Sequence, residues 1–291
     1  MTVSPSIPTA VLRLLCPDRP GLVAGVSGLL YDLGANILHA DQHVDAEANV
    51  FFQRVEFSLP LEMGATGQED VQRRLGDACT DWGMRWSLRY RGERPRMAIL
   101  ASRRSHCVLD LLARHRAGEL GGEVCFVASN HRDLAEEIER RGYAFRHEAI
   151  LDGDRAEQER RLIEHLERER IDLIVLARYM QILSADFVAR WPERIVNIHH
   201  SFLPAFPGAD PYRRAYRRGV KLIGATSHYV TTDLDEGPII AQEVTAVSHR
   251  DTVEDMERKG RELEQRVLAR AVRCQLEERI ISYGNRTVVF D

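Results

Sequence analysis

The hydrophobic period of this 291-residue chain changes once, at Arg91-Gly92-Glu93-Arg94-Pro95-Arg96, a polar run holding both a glycine and a proline. Such a run reads as a linker. Before it, Ala10 to Leu15 reads as a strand. Asp18-Arg19-Pro20-Gly21-Leu22 then turns into a helix, with Leu22, Val23, Val26, Leu29, Leu30 and Leu33 at helical spacing and Gly34 as its stop. Asn36–Val44 and Asn49–Leu59 form a strand pair, Glu69–Trp82 an amphipathic helix and Met84–Tyr90 a closing strand. That order, βαββαβ, is a ferredoxin-like module. After the linker, strands and helices alternate, which is the pattern of a mostly parallel sheet. The chain is therefore expected to be α/β with two domains, over 8–91 and 96–291.

In the second domain the expected strands are Met97–Leu100, Val124–Ala128, Ile171–Ala177, Ile195–His199, Leu222–Val230 and Arg286–Phe290. The expected helices are His106–His115, Arg132–Arg141 closed by Gly142, Arg155–Arg168 and a long charged one over Asp251–Ile281. Sheets of this kind hold ligands at the carboxyl ends of their strands. The loops Ser129-Asn130-His131 and Arg178-Tyr179-Met180-Gln181 are candidates for that place.

Composition narrows the function. Forty basic and 44 acidic residues leave a formal net charge of −4, so no global field draws nucleic acid. Mixed runs such as Glu157–Arg170 and Glu254–Arg270 read as solvated helix faces. No apolar run approaches the ~18–20 residues that span a bilayer, and no signal-peptide core is seen. The five scattered cysteines lack zinc-like spacing. A cytoplasmic protein with reduced thiols and no metal is expected.

The densest run of chemistry lies between Asn197 and Glu243. Asn197 and His199 stand two apart on a strand and so share a face. His228 follows on a second strand, and a polar loop carries Asp233, Asp235, Glu236 and Gly237. Taken singly, each has a plainer reading. Asn197 suits a turn, either histidine a core edge, and Asp235-Glu236-Gly237-Pro238 an ordinary turn. Taken together, an amide, an imidazole and a carboxylate are the parts needed to attack a carbonyl-type carbon.

The motif Asn-x-His-x-Ser-x-Leu-Pro from Asn197 to Pro204, followed by His-x-Val-x-x-x-Leu-Asp-x-Gly-x-Ile-Ile-x-Gln-Glu from His228 to Glu243, resembles the formyltransferase family. The Asp18–Leu22 turn resembles the ACT family, and the two modules together are similar to the formyltetrahydrofolate deformylase branch. His200 fits that branch, where formyltransferases usually have proline. The resemblance implies a Rossmann-like catalytic domain in which Asn197, His199 and Asp235 are catalytic, with His228 assisting Asp235. It also implies a folate loop made of Arg178, Tyr179, Met180, Gln181, Ile182 and Leu183. Ser129 and Asn130 are further candidate binding residues.

The implied reaction is hydrolysis of 10-formyltetrahydrofolate, the substrate itself and not a cofactor, to formate and tetrahydrofolate. The first strand supports water as acceptor. It is followed by Ala101-Ser102-Arg103-Arg104-Ser105-His106 with no glycine, so a close backbone cradle for a substrate phosphate is not expected. The alternative is transfer of the formyl group to an unidentified amine, with Arg103 and Arg104 gripping an acidic acceptor. A third reading is a sensor that holds folate without turnover. The ACT turn either binds an amino-acid effector or only joins strand to helix, and ACT modules commonly pair, so a homo-oligomer is expected.

Overall fold

The computed structural model describes residues 8–60, 65–204 and 211–291, and they divide into two units. The first runs to Arg94 and takes in Glu278–Ile281 and Val288–Asp291. The second comprises Pro95–Glu277 and Ser282–Thr287. The C-terminal residues, expected within the second domain, are thus shared between the units.

In the first unit, β1 (Thr9–Pro17), β2 (Asn36–Asp45), β3 (Val50–Ser58) and β4 (Arg85–Tyr90) form a sheet in the order β2-β3-β1-β4, all neighbours antiparallel. Helices α1 (Leu22–Asp32) and α2 (Ala65–Asp81) complete the βαββαβ order. Gly21 opens α1 at φ +90°, a left-handed conformation that favours glycine. Val26 and Leu30 of α1 and Val71 and Leu75 of α2 join Leu12, Leu14 and Phe57 of the sheet in one core. On β1 and β3, Arg13 lies directly opposite Arg54, a like-charge pair that costs stability unless neutralised. Glu56 Oε2, 3.1 Å from Arg54 Nη2, neutralises one member and Glu278 the other. The Glu278 carboxylate meets Arg13 Nη2 at 2.6 Å and Arg89 Nε at 2.8 Å, and its carbonyl accepts from Arg54 Nε at 3.0 Å.

The second unit is built on a seven-stranded sheet. Its strands are β5 (Arg96–Ala101), β6 (Glu123–Ser129), β7 (Phe145–His147), β8 (Leu173–Ala177), β9 (Ile195–His199), β10 (Leu222–Tyr229) and β11 (Ile239–Ala246). Their order is β11-β10-β9-β8-β5-β6-β7. From β7 to β9 neighbours run parallel, while β10 is antiparallel to both β9 and β11. The chain leaves β5 towards β6 and β7, then returns to place β8 on its other side. A crevice therefore opens beyond the carboxyl ends of β5 and β8. Helices α3 (His106–Arg116), α4 (Ala135–Arg140), α5 (Arg155–Arg168), α6 (Ala185–Arg190), α7 (Pro211–Arg218) and α8 (Val253–Leu276) accompany the sheet. One core joins Leu100, Phe126 and Ile174 of the strands to Leu162 of α5 and Phe187 of α6.

The long helix departs from expectation at its end. It starts with a capping box between Thr252 and Asp255, but stops at Leu276 rather than at Ile281. Glu278 takes φ 54° and Gly284 φ 53°, and between and beyond them β12 (Ile280–Tyr283) pairs with β13 (Arg286–Val289). The strand expected from Ile171 begins at Leu173, and the helix expected from Arg132 begins at Ala135. The short elements β7, α6 and α7 and the antiparallel strand β11 were not expected, having too few residues or too mixed a pattern to show a period.

Candidate active site

Strand β9 delivers Asn197 and His199 on one face, and the antiparallel register sets His228 of β10 directly across from Asn197. The Asn197 carboxamide lies 3.1 Å from His228 Nε2. The Tyr229 carbonyl accepts from His228 Nδ1 at 2.9 Å, so that nitrogen carries the proton and Nε2 accepts from Asn197 Nδ2. The loop after β10 brings Asp235 over this pair at φ 59°. That loop can close down because residue 237 is glycine: a Cβ there would lie 1.8 Å from the Tyr229 carbonyl oxygen.

Asp235 Oδ1 sits 3.2 Å from His199 Nδ1 and 3.7 Å from His228 Nε2. The hydrogen bond from His199 Nδ1 is the largest cause holding its carboxyl well below the usual carboxylate range, against the opposing effect of burial. His199 is buried, and its Nε2 has no partner among the described residues. The four residues expected to be catalytic are therefore brought together, and all four line one cavity of about 470 Å³.

The loop after β8 supplies an apolar wall to the same cavity. Arg178, Tyr179, Met180, Gln181, Ile182 and Leu183 all line it. Met180 and Ile182 remain 59% and 69% exposed, so their apolar side chains are open to a ligand. Tyr179 turns inward, its hydroxyl accepting from Gln158 Nε2 at 3.1 Å. The loop ends where Ser184 caps α6 through the Phe187 amide.

Ser129 and Asn130 do not line the cavity. Ser129 Oγ accepts from the His131 amide and donates to the Ser102 carbonyl, while Asn130 Oδ1 accepts from Ser102 Oγ at 2.8 Å. Ser102 Oγ in turn accepts from the Met180 amide. The two residues thus brace the apolar loop through Ser102, since both side chains are spent on backbone and on one another's neighbours. Glu243 is also outside the cavity, paired with Arg266 at 3.0 Å.

The cavity residues not named among the expected site residues include His106, His200, Tyr212 and Glu264. Glu264, only 1% exposed, accepts from Tyr212 Oη at 2.8 Å and lies 2.7 Å from His106 Nε2. Tyr212 reaches it because residue 260 is glycine, whose Cβ would fall 2.0 Å from the phenol oxygen. Burial raises the Glu264 carboxyl, yet the His106 hydrogen bond and the Arg178 charge leave it lowered overall. Glu264 has a sequence signal in retrospect. It shares the apolar stripe of Met256, Gly260, Val267 and Ala271 on α8, where a carboxylate is out of place. His106, Cys107 and Glu264 offer ligand-type atoms within 4.8 Å of one another, but burial pushes the Cys107 thiol well up and both Glu264 oxygens are engaged.

Comparison with known proteins bears on this geometry. A formyl transferase domain profile matches residues 95–272, and an ACT domain profile matches residues 10–63. The formyltetrahydrofolate deformylase of Synechocystis sp. is 47% identical over 282 residues, spanning 97% of this chain and 98% of its own. This chain belongs to the formyltetrahydrofolate deformylase family. The solved structure of a formyltetrahydrofolate deformylase from Pseudomonas syringae pv. tomato superposes with a TM-score of 0.93 at 40% identity, covering 98% of this chain and 95% of that one. A glycinamide ribonucleotide transformylase from Symbiobacterium toebii superposes with a TM-score of 0.66 at 35% identity, covering 70% of this chain and 98% of that one. Family members thus share both modules, whereas that transformylase matches over a smaller part of the chain. Among the described residues, no helix is long and apolar enough to cross a membrane.

Proposed function

We propose that this protein hydrolyses 10-formyltetrahydrofolate to formate and tetrahydrofolate in the cavity beside β9. The reduced pterin stacks on the wall of Met180, Ile182 and Leu183 and its edge meets backbone groups of that loop. Its formyl carbon then lies beside Asn197 and His199. Asp235 orients a water molecule, whose oxygen attacks the formyl carbon while the carbonyl electron pair moves to oxygen. The oxyanion is held by Asn197 Nδ2–H and by the His199 ring, which Asp235 orients from Nδ1.

A carboxylate held so low is a weak base towards free water. The water's proton therefore passes to Asp235 only as the new C–O bond makes that oxygen acidic. The proton is delivered to N10 as the oxyanion collapses and the C–N bond breaks. His228, with its proton fixed on Nδ1, orients the Asn197 carboxamide. The step draws on these side chains and water. The observation that carries the reading is the unpartnered Nε2 of His199, a residue that lines the cavity and whose Nδ1 faces Asp235.

The test is formate release from 10-formyltetrahydrofolate without added amine. One formate per tetrahydrofolate is expected; formyl loss that requires an amine would sustain the transferase alternative, and folate binding without turnover the sensor. At the ACT unit, an amino-acid effector and pairing of two copies fit the exposed apolar residues Ile37, Leu38 and Val44 on the edge strand β2. Glycine or methionine should then alter the rate, and light scattering should report more than a monomer. A cytoplasmic setting fits free cysteines throughout the described chain.

A further inference from the structure

We infer that Arg178 is a carboxylate-binding group within the cavity and that its ligand is the formate released there; the inference rests on the hydrolysis proposed above. The guanidinium is largely buried, yet neither Nε nor Nη1 has a hydrogen-bond partner among the described residues. Buried N–H groups of a cation are rarely left so, and each instance calls for an acceptor that completes the site.

Glu264 does not supply that acceptor. Its Oε1 is taken by the Tyr212 hydroxyl and its Oε2 by His106, leaving Arg178 Nε at 3.5 Å. The glutamate therefore balances the charge of the guanidinium without using its hydrogen bonds, an arrangement that keeps a buried arginine in place and its donors free. The backbone is committed to this position too: Arg178 takes φ 64°, a left-handed conformation costly for a residue with a side chain.

The place of this group relative to the chemistry follows from a chain of contacts. The His199 ring lies 5.1 Å from that of His200, and His200 lies 6.4 Å from the Tyr212 ring, whose hydroxyl reaches Glu264 beside Arg178. His200 adds no positive charge to compete for an anion, since burial and then the Arg178 charge lower its pKa to about 4. By contrast, Arg104 is exposed and Arg261 is engaged with Glu257. Both line the cavity, but neither shows unsatisfied buried donors.

A carboxylate could reach Arg178 from two sources, formate or the glutamyl tail of the folate. The largely buried position, in the cavity that His199 also lines, favours formate, the smaller of the two and the one generated beside His199. Binding there separates the product from N10, which disfavours re-formation of the C–N bond.

The test is titration of ¹³C-formate into the full-length protein, with and without saturating tetrahydrofolate, followed by NMR. In the wild type, formate is expected to bind in the presence of tetrahydrofolate, and Arg178→Ala is expected to weaken it at least tenfold. Should that variant not fold, Arg178→Lys, which keeps the charge but loses the guanidinium N–H array, is expected to bind formate several-fold more weakly. Wild-type affinity in a folded Arg178 variant, or displacement of formate by tetrahydrofolate, overturns the inference. Weakened affinity for tetrahydrofolate but not for tetrahydropteroate, with formate binding intact, assigns Arg178 to the tail and also overturns it. Formate release from 10-formyltetrahydrofolate, assayed on the same wild-type preparation, separates failure of this subsite from failure of the hydrolytic reading.

Discussion

Asp235 and Glu264 are carboxylates in one unit, each beside an imidazole, and they are placed for opposite tasks. Asp235 rides on a left-handed loop with its side chain 22% exposed, facing His199 and His228. Glu264 is fixed on a 24-residue helix with its side chain 2% exposed, saturated by His106 and Tyr212. Both carboxyls titrate lower than usual. The pairing of carboxylate and imidazole does not therefore mark the reacting group. The free donor position does: the imidazole beside Asp235 still has an unpartnered nitrogen, whereas both Glu264 oxygens already accept a hydrogen bond.

The largest effect that tests this contrast falls on turnover. Asp235→Asn keeps the shape but can neither accept the water's proton nor place a negative charge beside His199, so kcat should drop at least ~10²-fold. Stability should fall as well, because the carboxyl depressed in the fold contributes stability at neutral pH. Glu264→Gln should shift the balance towards stability. An amide offered to both His106 and Tyr212 leaves one hydrogen bond mismatched, costing about 1–3 kcal/mol of stability, with kcat falling less than for Asp235→Asn. Formate-release kinetics and urea unfolding on both variants check the pair. A Glu264→Gln protein as stable as wild type but as inactive as Asp235→Asn breaks the comparison.

Gly260→Ala sharpens it from the packing side. The new Cβ would sit 2.0 Å from Tyr212 Oη, so the phenol must leave Glu264. Overpacking of this kind costs about 1–3 kcal/mol, offset by up to ~1 kcal/mol of helix propensity. A net loss of stability by urea unfolding is expected. A Gly260→Ala chain more stable than wild type would mean that Tyr212 is not held where Glu264 needs it.

The same contrast explains what the sequence disclosed. Asn197 and His199 were legible as sharing a face because side chains alternate along a strand, and His228 and Asp235 were joined to them by the resemblance of the motif to a known family. The two modules were legible because their hydrophobic periods differ. Glu264, Tyr212 and His106 were not, because they come from α8, α7 and α3, and only tertiary packing brings them together. The charged surroundings of Glu264 hid that it falls on the apolar stripe of its helix. Ser129 and Asn130 were placed at the right strand end, but nothing local revealed that their side chains would be spent on Ser102 and His131.

The smallest effect concerns His200, which lies between the two clusters and senses both. Burial lowers its pKa from an ordinary 6.5 to about 4, so the folded chain resists a proton that the unfolded chain accepts. Between those values the unfolded state binds more protons, and His200 therefore contributes stability that is full above pH 6.5 and declines as pH falls towards 4. Asp235 behaves differently in the same window. Its carboxyl is depressed in the fold, so its contribution is present above the ordinary carboxylate value of ~4 and is lost only as pH falls further, through the folded value. His200→Asn should accordingly flatten the decline of unfolding free energy between pH 6.5 and about 4, while Asp235→Asn should leave that slope unchanged. If His200→Asn keeps the full wild-type slope, the imidazole between the clusters is not the group that resists protonation, and the decline belongs to another histidine.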